Sequence, residues 1–303
     1  LELIKGEFDI IHCPDSKIID ILYSKRNFFK KIPKFLYANG GAINPKRYPK
    51  FDFIQHHSLF SYSIAGKFKN KSFIVPYLVD TKRFSPSKNN KTEKDIKRKF
   101  KIPEHASLII SVGTICDNHK RMSHLIKEVS KVNNKNIHLL ILGQESNEST
   151  KIKTLGKRLL RENVHFGSMK HSDLHKAYQA SDLFVLSSLF EGFGIVYLEA
   201  MASGVPIIAT NHENQKWIMK DSSILIDMKK NNLLSKTIAK IINDDKLLSN
   251  LSKKGLKRVQ YFSRESIKNK YIKMYKKIFS VKFKRKKYTF KDKIINNIPF
   301  VKN

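Results

Sequence analysis

Cysteine, acidic residues and long apolar runs are all scarce in this sequence of 303 residues. The 2 cysteines, Cys13 and Cys116, lie far apart and form neither a disulfide framework nor a metal-binding pattern. No apolar run of about eighteen residues is present, so no transmembrane helix is predicted. The first residues are mixed and charged, unlike a signal peptide, which favours a cytoplasmic location. Neither a Walker lysine motif nor a G-x-G-x-x-G turn occurs, which argues against ATPases and dehydrogenases.

The deficit of acidic residues makes the chain strongly basic. It has 59 Lys+Arg against 26 Asp+Glu, a formal net charge of +33. Such a charge favours anionic partners, although compositional drift towards Lys, Ile and Asn explains it equally well. The basic residues form no motif that reads nucleic acid, so no nucleic-acid partner is expected. The tail at 281–303 interleaves basic and apolar residues, and it is either a membrane-surface segment or a solvated tail.

The first part of the chain has the pattern of a partial α/β domain. Its strand-like apolar runs lie at 8–13, 34–38, 51–55 and 72–77. A polar stretch with Pro86 and an Asn/Lys run follows at 81–101. We therefore predict a partial first domain over 1–84, followed by a linker over 85–104.

The second part alternates strands and helices regularly. Strand-like runs lie at 107–113, 138–143, 163–167, 183–186, 205–209 and 223–227. Helical patterns separate them, which predicts a doubly wound parallel sheet of about six strands over 105–262. After position 231 the pattern is helical, and a C-terminal helix is predicted over 263–280. Gly113, Gly143 and Gly167 fall at strand ends, where such sheets bind ligands.

The stretch 181–211 carries the clearest chemical signal. Glu191 is followed by Gly192, Phe193 and Gly194, and the next residues form an apolar helix interrupted by one charge, Glu199. A buried carboxylate without a partner costs several kcal/mol, so Glu199 must face a polar crevice or bind something. The glycine turn and the first helical N–H groups make an anion site beside Glu191.

These residues resemble a known family. FEGFGIVYLEAMASGVPIIATN is similar to the most recognisable segment of the family 4 retaining glycosyltransferases, which have two Rossmann-like domains in the GT-B arrangement. Five other segments resemble family segments that follow one another in the same order. From the first to the last in the chain they are KGEFDIIHC, FIVPYLVDTKRFSP, ISVGTICDNHKRMSHLIKEV, LLILGQ and VHFGSMKHSDLHKAYQASDLFVLSS. The resemblance covers roughly 5–280. It implies an α/β, GT-B-like fold whose second Rossmann-like domain is complete and whose first, acceptor-side domain lacks its start.

The resemblance also implies a role for each matching residue. Glu191 and Lys120 would be catalytic, with Glu191 on the reacting face of the donor sugar and Lys120 on the leaving diphosphate. Glu199 would accept hydrogen bonds from the ribose diol. The other expected donor-binding residues are Gly113, Thr114, Arg121, Ser168, Met169, Phe193, Gly194 and Ile195. The family generally needs no metal, so no metal or cofactor is expected.

The sequence departs from the family pattern at two site positions. Thr114 stands where the family usually has Arg, and Arg121 is the candidate to replace that cation. Asn39 stands where the family often presents a His near the reacting sugar, so it is the expected acceptor-side residue. His171 and His175 lie four apart, but no cysteine or carboxylate cluster completes a metal site, so a surface pair is favoured.

Two functional hypotheses follow. The first is a retaining hexosyltransferase that moves sugar from a UDP- or GDP-linked donor to a glycan or lipid-linked acceptor. It would act in polysaccharide biosynthesis, in the cytoplasm or peripherally on the inner face of the membrane. The second is a catalytically weak or inactive relative that binds nucleotide or an anionic membrane surface.

Overall fold

The polypeptide forms two parallel β-sheets, one in each half of the chain. The structure is a computed structural model that describes residues 6–282, except residues 42 and 88. The first sheet has four strands and the second has six, and helices connect the strands. The predicted α/β fold with two parallel sheets is confirmed.

The first sheet places its strands side by side in chain order. They are β1 (Ile10–Cys13), β2 (Lys34–Asn39), β3 (Phe53–His56) and β4 (Ser72–Ile74), with helices α1 (Ser16–Ser24) and α2 (Leu59–Ser63) between them. Each strand overlaps a predicted apolar run. The last strand ends three residues before the predicted position 77, and Pro76, which cannot donate a ladder hydrogen bond, lies just beyond its end.

The second sheet has the strand order β10-β9-β8-β5-β6-β7. Its strands are β5 (Ser107–Val112), β6 (Ile137–Leu142), β7 (Val164–Gly167), β8 (Leu183–Val185), β9 (Ile207–Thr210) and β10 (Ile224–Ile226). The chain moves from β5 out to β7 and returns on the other side of β5 at β8. Parallel sheets bind ligands at such a reversal, beyond the carboxyl ends of the strands.

Helices connect the strands of the second sheet and continue past its last strand. They are α3 (Lys91–Lys99), α4 (Met122–Val129), α5 (Ser149–Leu160), α6 (Leu174–Gln179), α7 (Ile195–Ala202), α8 (Glu213–Met219), α9 (Leu233–Ile241), α10 (Asp245–Val259) and α11 (Arg264–Ser280). The segment 85–104, predicted as a linker, is not open chain, because it contains α3. Ile96 of this helix is buried in the core of the second sheet, a contact that the charged composition of the segment conceals.

The last helix returns to the first sheet. In α11, Ile267, Met274 and Ile278 are buried in one apolar cluster with side chains of β2, β3 and the segment after β4. The two halves are therefore joined by packing as well as by the chain. No described helix is long and apolar enough to cross a membrane. The predicted basic tail lies outside the described residues from position 283 onwards.

Candidate active site

The Glu191 turn and helix α7 lie beyond the carboxyl end of β8, beside the point where strand order reverses. Gly194 has φ of +84° and stands at the N-cap of α7, a backbone conformation that favours glycine. A Cβ there would also meet the ring of Tyr197 at 2.5 Å. Helix α7 buries almost all of its residues, and both glutamates are buried, Glu191 at 5% exposure and Glu199 at 3%.

Glu191 forms an ion pair with Lys120 across the reversal point. Lys120 Nζ donates to Glu191 Oε1 at 2.7 Å, and the two side chains are 15% and 6% exposed. The loop after β5 also brings His119 here, whose Nε2 lies 3.2 Å from the Phe190 carbonyl and 3.9 Å from Glu191 Oε2. The structure thus brings the two predicted catalytic residues together.

Asn214 at the start of α8 is hydrogen-bonded to the backbone of the same turn. Its Nδ2 donates to the Glu191 carbonyl at 2.9 Å and also to the Gly192 carbonyl, and its side chain is fully buried. Sequence reasoning missed Asn214, because nothing in the sequence signals that α8 folds against the turn.

Glu199 has two hydrogen-bond donors in the protein, one on each carboxylate oxygen. His171 Nε2 donates to Oε1 at 2.7 Å, and Tyr178 Oη donates to Oε2 at 3.0 Å. Burial, followed by the charge of Glu199, raises the pKa of Tyr178 well above its ordinary value, so this phenol remains a donor. The partner that the sequence required for Glu199 is present, but His171 was predicted to be only half of a surface pair.

The turns after β5 and β6 are in direct backbone contact. A Cβ on Gly143 would lie 1.8 Å from the Gly113 carbonyl oxygen, so only glycine allows this approach. The side chain of Lys120 packs over Gly113, with its Cε 3.1 Å from the position of a Cβ there. Thr114 follows directly and is exposed. Lys120 and the predicted phosphate turn therefore form one unit.

The Arg121 side chain binds a backbone carbonyl outside the phosphate turn. The residue adopts the left-handed conformation with φ of +51° at the start of α4, and its Nη1 donates to the Met228 carbonyl at 2.8 Å. The guanidinium thus binds the segment after β10, and the structure does not place it as a replacement for the family arginine at Thr114.

The predicted base-side and sugar-side residues occupy different environments. Ser168 is exposed and Met169 half-buried, and both line an open cavity of about 580 Å³ between α3 and the segment before α6. Phe193 is buried, and its ring packs edge to face against Tyr77 of the first domain, with the two ring centroids 5.3 Å apart. Ile195 is 40% exposed at the first turn of α7.

Asn39, the expected acceptor-side residue, is buried and hydrogen-bonded at the end of β2. It is 1% exposed, and its Nδ2 donates to Ser61 Oγ at 3.0 Å and to Tyr48 Oη at 3.2 Å. The amide nitrogen thus serves a buried polar network inside the first domain, and the acceptor-side role of Asn39 stays a prediction. His57, just beyond the end of β3, stacks on Tyr77, with the two ring centroids 3.8 Å apart.

His56, whose Nδ1 contacts Ser61 Oγ of this network, and its neighbour His57 are both neutral at pH 7. Burial lowers the pKa of His56 to about 4, and it does the same for His57 despite a hydrogen bond to the Val75 carbonyl. Among the described residues, no group of three His, Cys, Asp or Glu side chains could hold a metal ion.

Comparisons with known proteins identify relatives of both the sequence and the fold. Residues 92–258 match the family model described as Glycosyl transferases group 1. The chain is 29% identical over 180 residues to the lipopolysaccharide core biosynthesis glycosyltransferase LpsE of Rhizobium meliloti (strain 1021), covering 58% of this chain and 52% of that protein. It is 30% identical over 112 residues to the O-antigen chain mannosyltransferase B of Escherichia coli, covering 37% and 29% respectively. The chain thus spans about half or less of the length of these curated relatives.

A solved structure shares the fold across most of the chain. Anabaena Alr3699/HepE, crystallised with UDP and glucose, superposes with a TM-score of 0.78 at 15% identity, covering 89% of this chain and 78% of that one. At this identity the likeness concerns the fold, and it extends over both sheets.

Proposed function

This chain belongs to the group 1 glycosyl transferases, and on that premise we propose that it transfers a hexose-type sugar from a nucleoside diphosphate sugar to a glycan or lipid-linked acceptor, with retention of the anomeric configuration. The observation that carries the proposal is the pair of buried glutamates bracketing the start of α7, one of them paired with Lys120 at 2.7 Å. Two buried carboxylates, a lysine and a helix N-terminus at one strand reversal suit a ligand with an anionic diphosphate and many hydroxyl groups.

Each group has a chemical role in this proposal. Lys120 would stabilise the negative charge that develops on the diphosphate as the bond from C1 of the sugar to phosphate oxygen breaks. The acceptor oxygen bonds to C1 from the same face, and its proton leaves with the diphosphate. Glu191 would accept hydrogen bonds from the donor sugar, and Glu199 would accept them from the ribose diol. UDP or GDP is the proposed nucleotide, and no metal is invoked.

Arg121 gives a second candidate function specific support. Because its guanidinium binds the Met228 carbonyl, the diphosphate would lack the cation that Thr114 also fails to supply. A protein with this deficit could be a catalytically weak relative that binds nucleotide or an anionic membrane surface. The proposal also includes a cytoplasmic location, peripheral association with the membrane through 281–303 and a role in polysaccharide biosynthesis.

A donor screen distinguishes the two candidates. Release of nucleoside diphosphate is measured with common UDP- and GDP-sugars for the wild type, Glu191→Gln and the matched control Glu213→Gln, whose carboxylate lies on the exposed face of α8. We expect turnover with at least one donor and a loss of about a hundred- to a thousandfold in Glu191→Gln only. Absence of turnover with every donor, or full activity in Glu191→Gln, would contradict the proposed glycosyltransferase activity.

The same samples test the second candidate. A melting temperature raised by UDP or GDP, without turnover, would favour the nucleotide-binding relative. Binding to anionic liposomes that is lost on deletion of 281–303 would assign the membrane contact to the tail. Liposome binding unchanged by the deletion would contradict that assignment.

A further inference from the structure

His171 is a residue to which neither the family resemblance nor the comparisons give a role. We propose that His171 is a positioning residue for the nucleotide side of the site, holding the Glu199 carboxylate in the orientation that a ribose diol requires. This inference rests on the proposed function, because it assumes that Glu199 receives the ribose of a nucleotide. It adds a second protein group to ribose recognition and makes that recognition dependent on a residue at the protein surface.

The geometry fixes the direction of the hydrogen bond. His171 Nε2 lies 2.7 Å from Glu199 Oε1, within the range of charge-assisted bonds. A carboxylate only accepts hydrogen bonds, so Nε2 carries the proton. Tyr178 donates to the opposite oxygen at 3.0 Å. The carboxylate is thus held at both oxygens, from the side of the protein that contains α6 and the segment before it.

The two protein donors leave acceptor positions on the Glu199 carboxylate unused. A carboxylate has about four lone-pair positions, and His171 and Tyr178 use one on each oxygen. The two that remain can accept the two hydroxyl groups of a ribose, provided that the plane of the carboxylate is fixed. Glu199 is 3% exposed, so a misoriented carboxylate could not recover its lost hydrogen bonds from bulk water.

The two donors differ in one property that matters. Tyr178 is fully buried and belongs to the core of the second domain, so it holds Glu199 whether or not a ligand is present. The His171 side chain is 66% exposed, and its ring packs on one side against Phe84 at 5.5 Å. It also belongs to the segment that starts at Ser168 and Met169, which are expected to contact the base. His171 therefore links the base-side segment to the ribose-side carboxylate.

His175 provides a matched control. It lies four residues further along, and its ring also packs near Phe84, at 6.3 Å. No hydrogen bond between His175 and Glu199 is present in the described structure. A general effect of removing an imidazole that packs near Phe84 would appear in His175→Ala, whereas an effect through Glu199 would not.

The experiment measures binding of UDP and GDP by calorimetry to the full chain, together with their 2′,3′-dideoxy forms. The proteins are the wild type, His171→Ala, His171→Gln, His175→Ala and Glu199→Gln. We expect His171→Ala to weaken binding of the preferred ribonucleotide about ten- to a hundredfold, the range for a hydrogen bond to a charged group. Binding of its dideoxy form should stay within about threefold. His171→Gln, which keeps an N–H donor, should recover most of the affinity, and His175→Ala should resemble the wild type.

Several outcomes would overturn the inference. If His171→Ala weakens ribonucleotide and dideoxynucleotide equally, its effect is structural. If it tightens the ribonucleotide, His171 competes with ribose instead of orienting its acceptor. If Glu199→Gln loses the preference for ribose but His171→Ala keeps it, the proposed function stands and only the role of His171 fails. If the wild type binds neither UDP nor GDP, the proposed function fails, and this inference fails with it.

Discussion

Gly143 gives the sharpest test of the phosphate turn, because its substitution acts on the backbone of a neighbouring turn. In Gly143→Ala, the new Cβ would lie 1.8 Å from the Gly113 carbonyl oxygen and 2.5 Å from the Gly113 carbonyl carbon. Contacts of a Cβ below 3.0 Å are essentially never found, so the turn at Gly113 must retreat by about 1.2 Å or more. Both partners are backbone, so no side-chain rotation can relieve the overlap.

The displacement would reach the proposed catalytic lysine. The Lys120 side chain packs over Gly113, so a shift of the turn removes the support that directs its Nζ towards Glu191. A misplacement of about 1 Å in an active site can cost about a hundredfold in rate. We therefore expect the catalytic efficiency of Gly143→Ala to fall about a hundredfold, with a loss of nucleotide affinity. Overpacking should also cost about 1–3 kcal/mol of stability.

The assay combines nucleoside diphosphate release, calorimetric binding of UDP and GDP, and thermal unfolding. Gly255→Ala is the control, because its nearest new contact is Met201 Cγ at 3.5 Å, an ordinary distance, and an alanine in α10 favours helix. A folded Gly143→Ala protein that keeps its nucleotide affinity and activity within about threefold would refute the reasoning. It would show that the Gly113 turn can move without affecting Lys120.

Two other predictions follow from charges buried in and near the cleft. The single variants Lys120→Met and Glu191→Gln should each lower the melting temperature, because each leaves one nearly buried charge unpaired. The double variant should lower it by less than the sum of the two single effects, with a coupling free energy of about 1–3 kcal/mol. Additive effects would contradict the ion pair. His56 and His57, with folded pKa values of about 4 against 6.5 when unfolded, should contribute stability that is complete above pH 6.5 and lost as pH falls towards 4. The fall in melting temperature from pH 7 to 5 should be smaller in His57→Gln than in the exposed control His105→Gln, and equal slopes would contradict the effect.

The strands of both sheets were predictable because burial on two faces leaves a strong local pattern. The strands Ser107–Val112 and Ile137–Leu142 are mainly apolar, and a glycine directly follows each of them. Glu199 was predictable for the same reason, since a charge inside an apolar helix requires a partner. The identity of that partner was not predictable, because His171 and Tyr178 precede Glu199 by 28 and 21 residues and meet it only after the chain has crossed the sheet.

The sequence did not reveal which contacts particular side chains make. Arg121 is adjacent to Lys120 in sequence, but its left-handed backbone turns it towards Met228, 107 residues away. Asn39 ends a strand at the expected place, yet its amide finds partners inside the first domain. The helix α3 was concealed because eight of its nine residues are polar, although burial of Ile96 anchors it. Composition and order predict the position of a residue along an element, but they do not predict what its side chain contacts.

The position of Arg121 changes how the charges of the site must be shared. In the structure described here, the positive charge of Lys120 is balanced by Glu191 at 2.7 Å. A bound diphosphate would compete for the same ammonium group, and Glu191 would then need other donors, because a carboxylate left unpaired at 5% exposure is costly. The hydroxyl groups of a donor sugar can supply them, whereas a nucleoside diphosphate without sugar cannot. A site arranged in this way should therefore favour the intact sugar nucleotide over its product, which would assist release of the nucleoside diphosphate after transfer.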